Sequence, residues 1–264
     1  MNTRRNFVRG LSGLGAIVAT GHAPAIVKSM IAARGTMLGG EKAPTAKSYV
    51  QDGLIAMWDG IENAGWGTHD ASATVWKDLA GNGYDLTVGS KSSFSTNSLD
   101  YTEVVAKGAA YRNAVITGVA QMEICCNITS KSASSILVCN GPALNNSVRN
   151  IVLASNNTRG VQTSYAKRHE AYLGRTGVQC LSATWDILYV NGVKVVDTVF
   201  NTADWGANMD LFALFARGDA NYWTLGSIFD VRLYSSALTA DEIAANNSVD
   251  KKRFNLASQE FANG

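Results

Sequence analysis

An Asn-Gly pair set between two β-rich runs constrains this chain more than any other local feature. Ile187-Leu188-Tyr189-Val190 precedes Asn191-Gly192, and Val193-Lys194-Val195-Val196 follows it. A type I′ turn needs positive φ at both central residues, and Asn-Gly supplies them at low steric cost. The segment is therefore a hairpin. A lone hairpin is at best marginally stable in water, so it must join a larger sheet. The rest of the chain supplies one. From Tyr49 onward, short β-type runs alternate with turn clusters: residues 54–58, 84–88, 123–128, 136–139, 151–154, 178–183, 211–217 and 225–234. One helix stands out in the body, over residues 239–246, with Thr239 as N-cap and Glu242 completing a capping box. Many short strands, regular turns and one terminal helix predict an all-β antiparallel sandwich. No segment repeats at a period of 20–50 residues, which argues against a propeller or solenoid.

Composition narrows the function classes. The 264 residues are 46% hydrophobic and 17% charged, with a formal net charge of +2. That is too apolar and too weakly charged for a disordered chain. No apolar run approaches 18 residues, so no stable membrane span is expected. The charge is divided unevenly. Residues 1–48 carry seven Lys/Arg and one acid, while residues 49–264 carry sixteen Lys/Arg and twenty Asp/Glu. The body is mildly acidic, which argues against a nucleic-acid partner.

The N-terminal 25 residues read as a removable address. Thr3-Arg4-Arg5-Asn6-Phe7-Val8-Arg9 resembles a twin-arginine export signature. A Gly-rich, weakly apolar stretch runs from Leu11 to Thr20, and Ala23-Pro24-Ala25 offers small residues at a cleavage site. The other reading is a retained basic arm that docks on a neighbour in an assembly, with residues 26–34 as a short amphipathic helix. Residues 26–48 are a linker or part of that arm, since 35–48 show no apolar periodicity. The folded domain is expected over 49–264. The protein is thus expected to be exported (periplasmic, cell-surface or extracellular), or alternatively to sit in a virion.

Three stretches of the body carry a family resemblance. The first is Asp52-Gly53-Leu54-Ile55-Ala56-Met57-Trp58-Asp59-Gly60 with the Asp78-Leu79-Ala80-Gly81-Asn82-Gly83-Tyr84-Asp85 turn. The second is the Leu188-Tyr189-Val190-Asn191-Gly192 hairpin, and the third a closing block from Gly226 to Ile243 that reads GSIFDVRLYSSALTADEI. Together they bracket residues 52–246. The body resembles the laminin-G-like, concanavalin A-like jelly-roll domains of secreted bacterial and phage proteins. The resemblance implies an antiparallel jelly-roll sandwich with one short C-terminal helix lying across one end. In the closing strand, alternation predicts that Phe229, Val231 and Leu233 face the core and that Ile228, Asp230, Arg232 and Tyr234 face away.

Chemistry is sparse. Glucanases with this jelly roll set two Glu and an Asp on one strand as E-x-D-x-x-E. None of the seven Glu (41, 62, 103, 123, 170, 242 and 260) is followed two residues later by Asp, so an enzyme is not expected. The three His (22, 69 and 169) form no metal-binding motif, and no P-loop, nucleophile elbow or EF-hand loop occurs. No cofactor is expected; a calcium ion held by scattered loop oxygens would leave no sequence signature. Cys125, Cys126, Cys139 and Cys180 lack zinc-type spacing. They read as small buried residues, and a Cys126–Cys139 bridge is an alternative that the spacing leaves open.

Aromatic residues among turn residues are the remaining lead. Trp66, His69 and Asp70 share one loop, Trp205 lies in a second, and Asp219, Asn221 and Trp223 in a third. Sugars bind by stacking their C–H faces on aromatic rings while Asp and Asn order the hydroxyls. The plainer reading is that each Trp plugs an end of the sandwich. The function expected is a non-catalytic exported binding module for a glycan or a cell-surface protein. The alternative is a structural subunit of a phage virion or extracellular filament that self-assembles through residues 1–48.

Overall fold

A computed structural model describes residues 43–132, 135–140, 150–153, 158–164, 167–172, 176–184, 187–197, 208–209, 212–216 and 222–256. Among them are eighteen strands, numbered in chain order, and one α-helix. The first sheet runs β15 (Val193–Asp197), β14 (Ile187–Val190), β13 (Gly177–Ala183), β8 (Gln121–Lys131), β18 (Thr224–Tyr234), β5 (Leu99–Tyr101) and β4 (Ser92–Phe94). Strand β1 (Leu54–Asp59) pairs with β18 beyond the point where β5 stops. The second sheet runs β12 (Lys167–Tyr172), β11 (Thr158–Ser164), β10 (Asn150–Leu153), β9 (Ser135–Asn140), β17 (Phe212–Leu214), β6 (Ala110–Arg112), β3 (Leu86–Val88) and β2 (Val75–Trp76). A short ribbon pairs β7 (Ile116–Thr117) with β16 (Asn208–Met209). Among the described residues the strand pairings are antiparallel, and the expected all-β sandwich is the architecture found.

The core lies between the two large sheets. Trp58, Leu99, Ile124, Cys126, Ile128, Val231 and Leu233 come from the first, and Trp76, Leu86, Val138, Phe212 and Leu214 from the second. Trp58 and Phe212 stack across the gap, with ring centroids 5.0 Å apart. Burying a Leu, Ile, Val or Phe side chain stabilises a fold by roughly 1.5–3 kcal/mol. The two core indoles also keep their N–H groups bonded: Trp58 Nε1 donates to Tyr84 O (3.0 Å) and Trp76 Nε1 to Asp59 O (3.0 Å). The expected hairpin forms, with Asn191 at φ 54° and Gly192 at φ 82°.

The closing strand departs from simple alternation. Cys126 pairs with Ile228 but Cys125 pairs with Asp230, so Phe229 is an inserted bulge residue. The bulge resets the alternation. Ile228, Val231 and Leu233 face the core, while Phe229 joins Cys125, Val178, Cys180, Phe254 and Leu256 on the other side of the sheet. The inward placement expected for Phe229 is thus corrected, and so is the outward placement of Ile228.

That other side is covered, not solvated. Helix α1 (Ala240–Arg253) starts at the expected cap: Thr239 Oγ1 accepts from the Glu242 backbone N–H, and a Glu242 carboxylate oxygen accepts from the Thr239 N–H at 2.8 Å. It runs past the expected end at Asn246 and lies over the outer face of the first sheet, not across one end of the sandwich. Its buried residues are Ile243, Asn246, Asn247 and Asp250, one stripe at helical spacing and mostly polar. The sheet answers with charge. Arg232 donates through Nε to Glu123 (2.9 Å), through Nη1 and Nη2 to Asp250 (2.8 and 3.0 Å), and also to Asp230. The Tyr49 ring packs on its guanidinium, 4.0 Å from the centroid. Asn246 bonds both Glu123 and the Tyr234 hydroxyl. One guanidinium is thus shared by three buried carboxyls. Burial, followed by the neighbouring Asp250 carboxylate, pushes the Asp230 carboxyl well above the usual carboxylate range against the pull of Arg232.

The four cysteines divide into two kinds. Cys125 and Cys180 sit directly opposite each other on β8 and β13 and form a disulfide on the outer face. Cys126 and Cys139 lie in different sheets and are both buried, and the Cys126–Cys139 bridge is not the one formed. Residues 44–50 also pack on the domain. A one-turn helix at Ala46–Ser48 buries Ala46, Arg253 Nη1 donates to Pro44 O (3.0 Å), and the Val50 N–H donates to Asn246 (2.9 Å).

Two outcomes are expected. A carboxyl whose pKa is higher folded than unfolded binds more protons in the folded state. Its stabilising contribution is complete below the ordinary value of about 4 and is lost as pH rises through the raised value. Asp230→Asn therefore flattens the fall in stability above about pH 4, read from urea unfolding at several pH values; an unchanged profile would mean Asp230 is ionised when folded. The disulfide closes a loop with a sequence separation of 55. The Cys125→Ala/Cys180→Ala double variant should lose about 2–4 kcal/mol of unfolding free energy in the same assay, within the range for native cross-links.

Candidate functional site

The site begins with a turn built on one carboxylate. Asp78 Oδ1 accepts from the Met57 and Ala80 N–H groups (3.1 and 2.9 Å), and Oδ2 from those of Asn82 and Tyr84 (both 3.1 Å). This is the physical content of the Asp-x-x-Gly-Asn sequence: the side chain gathers three amides of the irregular turn and one from β1. The turn fixes Leu79 and Ala80 beside β1, where the Leu79 N–H donates to Met57 O at 2.8 Å.

A second loop holds Trp66 out from the body. Gly65 and Thr68 bracket it in a tight reverse turn, closed by Thr68 N–H to Gly65 O (2.9 Å) and Ala64 N–H to Thr68 O (3.2 Å). Gly65 and Gly67 have φ of 127° and 69°, a conformation that side chains rarely adopt. The base of the loop is clamped. Glu62 accepts from the Gly67 N–H through Oε2 (3.1 Å) and from Arg253 Nη2 through Oε1 (2.9 Å), while Arg253 also grips both oxygens of Asp59 (2.7 and 3.0 Å). Trp66 at the tip remains 42% exposed.

Between loop and turn lies an open cleft of about 360 Å³, lined by Lys47, Gln51, Leu54, Trp66, Leu79 and Ala80. The Lys47 ammonium stands 5.1 Å from the Trp66 ring centroid. Gln51 donates from its amide to Tyr49 O (2.9 Å). The lining therefore combines an aromatic face, three apolar side chains, one amide and one cation.

Of the expected site residues that the structure describes, Trp66 alone lines this cleft. His69 and Asp70 follow it on the same loop but act in the loop's own structure. A His69 ring nitrogen is 3.2 Å from Ile61 O, and Asp70 Oδ1 accepts from the Ser72 hydroxyl and N–H (2.6 and 2.8 Å). Those Ser72 bonds hold the Asp70 carboxyl below its ordinary range. Trp223 is half-buried at the start of β18, where its carbonyl accepts from the Ser132 N–H (3.0 Å), away from the cleft lining. Trp205, Asp219 and Asn221 lie outside the described residues. Lys47 and Gln51 are the residues that sequence reasoning missed. Lys47 lies in a stretch that reads as linker, and Pro44-Thr45 ahead of Ala46 is the sole hint of a helical turn there.

The densest group of described carboxyls points to no metal centre. Asp59, Glu123, Asp230 and Asp250 are buried beneath α1 and engaged by Arg232 or Arg253. Cys125, Cys180 and Asp250 bring three ligand-type atoms within 4.8 Å of one another. The two sulfurs are bonded to each other, however, and both Asp250 oxygens hold Arg232.

No protein-family model and no curated protein matches the chain. Solved structures do. Trypanosoma rangeli sialidase in complex with sialic acid is 16% identical, with a TM-score of 0.52 over 79% of this chain and 34% of the other. A mutant of that sialidase displaying trans-sialidase activity gives a TM-score of 0.54 at 16% identity, over 81% of this chain and 34% of the other. Domain 4 of AbnA, a GH43 extracellular arabinanase from Geobacillus stearothermophilus, in complex with arabinotriose, is 16% identical with a TM-score of 0.52, over 74% of this chain and 98% of that one. The chain spans about a third of the length of the sialidases it matches. At such identities the likeness is one of fold. Among the described residues, no helix is long and apolar enough to cross a membrane.

Asp78→Ala should lower the unfolding free energy by about 3 kcal/mol, because partly buried backbone amides lose their acceptor at a cost of roughly 1–3 kcal/mol each where water cannot replace it. Urea unfolding measures the loss, and a change below about 1 kcal/mol would show that water takes over the role.

Proposed function

We propose that this chain is an exported, non-catalytic carbohydrate-binding module of laminin-G-like type, with the Trp66 cleft as its sugar platform. The observation that carries the reading is the presentation of Trp66. An indole is costly to leave in water, and here a glycine-bracketed turn, clamped through Glu62 to Arg253, holds one half-exposed over a cleft. A ring fixed in advance can stack on the C–H face of a sugar with little further loss of side-chain freedom. Leu54 and Leu79 extend the apolar floor, and Gln51 offers an amide to a hydroxyl.

Two further observations support the reading. The Cys125–Cys180 disulfide suits an oxidising compartment, in keeping with export. Buried carboxyls clamped on guanidinium groups are poorly placed to serve as the acid and nucleophile of glycoside hydrolysis, which supports binding over catalysis.

Trp66→Ala is expected to remove binding to whichever oligosaccharide the parent chain retains on a glycan array, with an unchanged urea midpoint. A marked loss of stability instead would identify the ring as a structural plug. Binding unaffected by the substitution would move the site elsewhere on the sandwich.

A further inference from the structure

Resting on that reading, we propose that the Trp66 cleft is selective for anionic sugars: a pyranose carrying a carboxylate or sulfate that meets the Lys47 ammonium while the ring stacks on Trp66. The body of the chain is acidic, with sixteen Lys/Arg against twenty Asp/Glu over residues 49–264, yet the charged side chain in the cleft lining is a lysine. No carboxylate is among the described lining residues; Asp52, next to Gln51 in sequence, is not one of them. The carboxylates that build the two walls are already committed, Asp78 to four backbone amides and Glu62 to Arg253 and the Gly67 N–H. Among the described residues Lys47 forms no ion pair, and the contact it makes is with the Trp66 ring.

That contact gives the selectivity its mechanism. An ammonium 5.1 Å from the indole centroid is attracted to the ring's negative face, a weak interaction at an exposed site. It parks the charge next to the surface where a sugar would lie, and it breaks readily. A sugar that displaces the ammonium without offering it an anion loses the cation–π contact and gains nothing from the charge. A sugar with a carboxylate or sulfate at its edge replaces that contact with a charge-assisted hydrogen bond. The backbone position of Lys47 is itself fixed, because the helical turn that carries it is held by the buried Ala46 and by Arg253 on Pro44 O.

The experiment is isothermal titration of the full chain with matched oligosaccharides: trigalacturonate against its fully methyl-esterified form for the carboxylate, and sulfated against desulfated carrageenan tetramers, which carry no carboxylate, for the sulfate. Each pair is measured at low and high salt. Tighter binding of an acidic member by about five- to tenfold is expected, narrowing at high salt as an exposed ion pair should. Lys47→Gln, at an exposed position, should erase that difference by weakening the acidic member and, since no cation–π contact is then lost, by modestly tightening the neutral one. Which pair responds identifies the anion. Equal binding of acidic and neutral members, with Trp66→Ala abolishing both, overturns the anionic selectivity and leaves the carbohydrate platform standing. An acidic preference that survives Lys47→Gln does the same. Binding of acidic sugars that survives Trp66→Ala overturns the platform as well, as does the absence of binding to all four sugars and to a broad glycan array.

Discussion

Arg232 sits on the outer face of the first sheet, 2% exposed, and its guanidinium bonds carboxyls from β8, from its own strand and from α1. It gives a helix with a mostly polar buried stripe its central partner on the sheet, beside the apolar contacts of Ile243 and Phe254. Hydrophobic burial could hold such a helix in several registers; three carboxyls converging on one planar group hold it in one. Replacing a buried ionic group by apolar side chains is often neutral, but removing one partner leaves an uncompensated charge and is strongly destabilising. Burial, with the Asp250 carboxylate beside it, holds the Asp230 carboxyl above its ordinary range against the pull of Arg232.

A second arginine carries this order to the surface. Arg253, at the last turn of α1, joins Asp59 at the end of β1 to Glu62, and Glu62 holds the turn that presents Trp66. The same guanidinium bonds the carbonyl of Pro44, at the base of the helical turn that bears Lys47. Both walls of the cleft are therefore referred to one group, itself positioned by the helix that Arg232 anchors. The cleft is shallow and exposed, but its geometry is set from within.

Much of the frame was legible in the sequence because local chemistry and global fold agree there. Asn191-Gly192 adopts the two positive φ values its turn requires, and Thr239 with Glu242 caps the helix as the motif implies. The departures each have a physical cause. Phe229 faces away from the core because a bulge inserts one residue, which strict alternation cannot anticipate. Helix α1 runs to Arg253 although its apolar pattern fades near Asn246, because the remaining buried positions are polar and pair with sheet charges that lie distant in sequence. Trp66 stood out in the sequence as an aromatic among glycines. Lys47 did not, since a lysine in a stretch of Gly, Ala, Pro and Thr gains meaning only once the chain has folded back to set it beside an indole.

The segment from Pro44 to Gln51 is both the point where the preceding polypeptide enters the domain and the source of two lining side chains. Tension applied through that preceding polypeptide would load the bonds from Arg253 to Pro44 O and from Val50 N–H to Asn246, together with the buried Ala46 and Tyr49, ahead of β1. Peeling those few residues would carry Lys47 and Gln51 away while the two sheets stayed intact. Mechanical load and the proposed sugar grip would thereby be coupled, because pull on that segment opens the cleft before it reaches the sandwich.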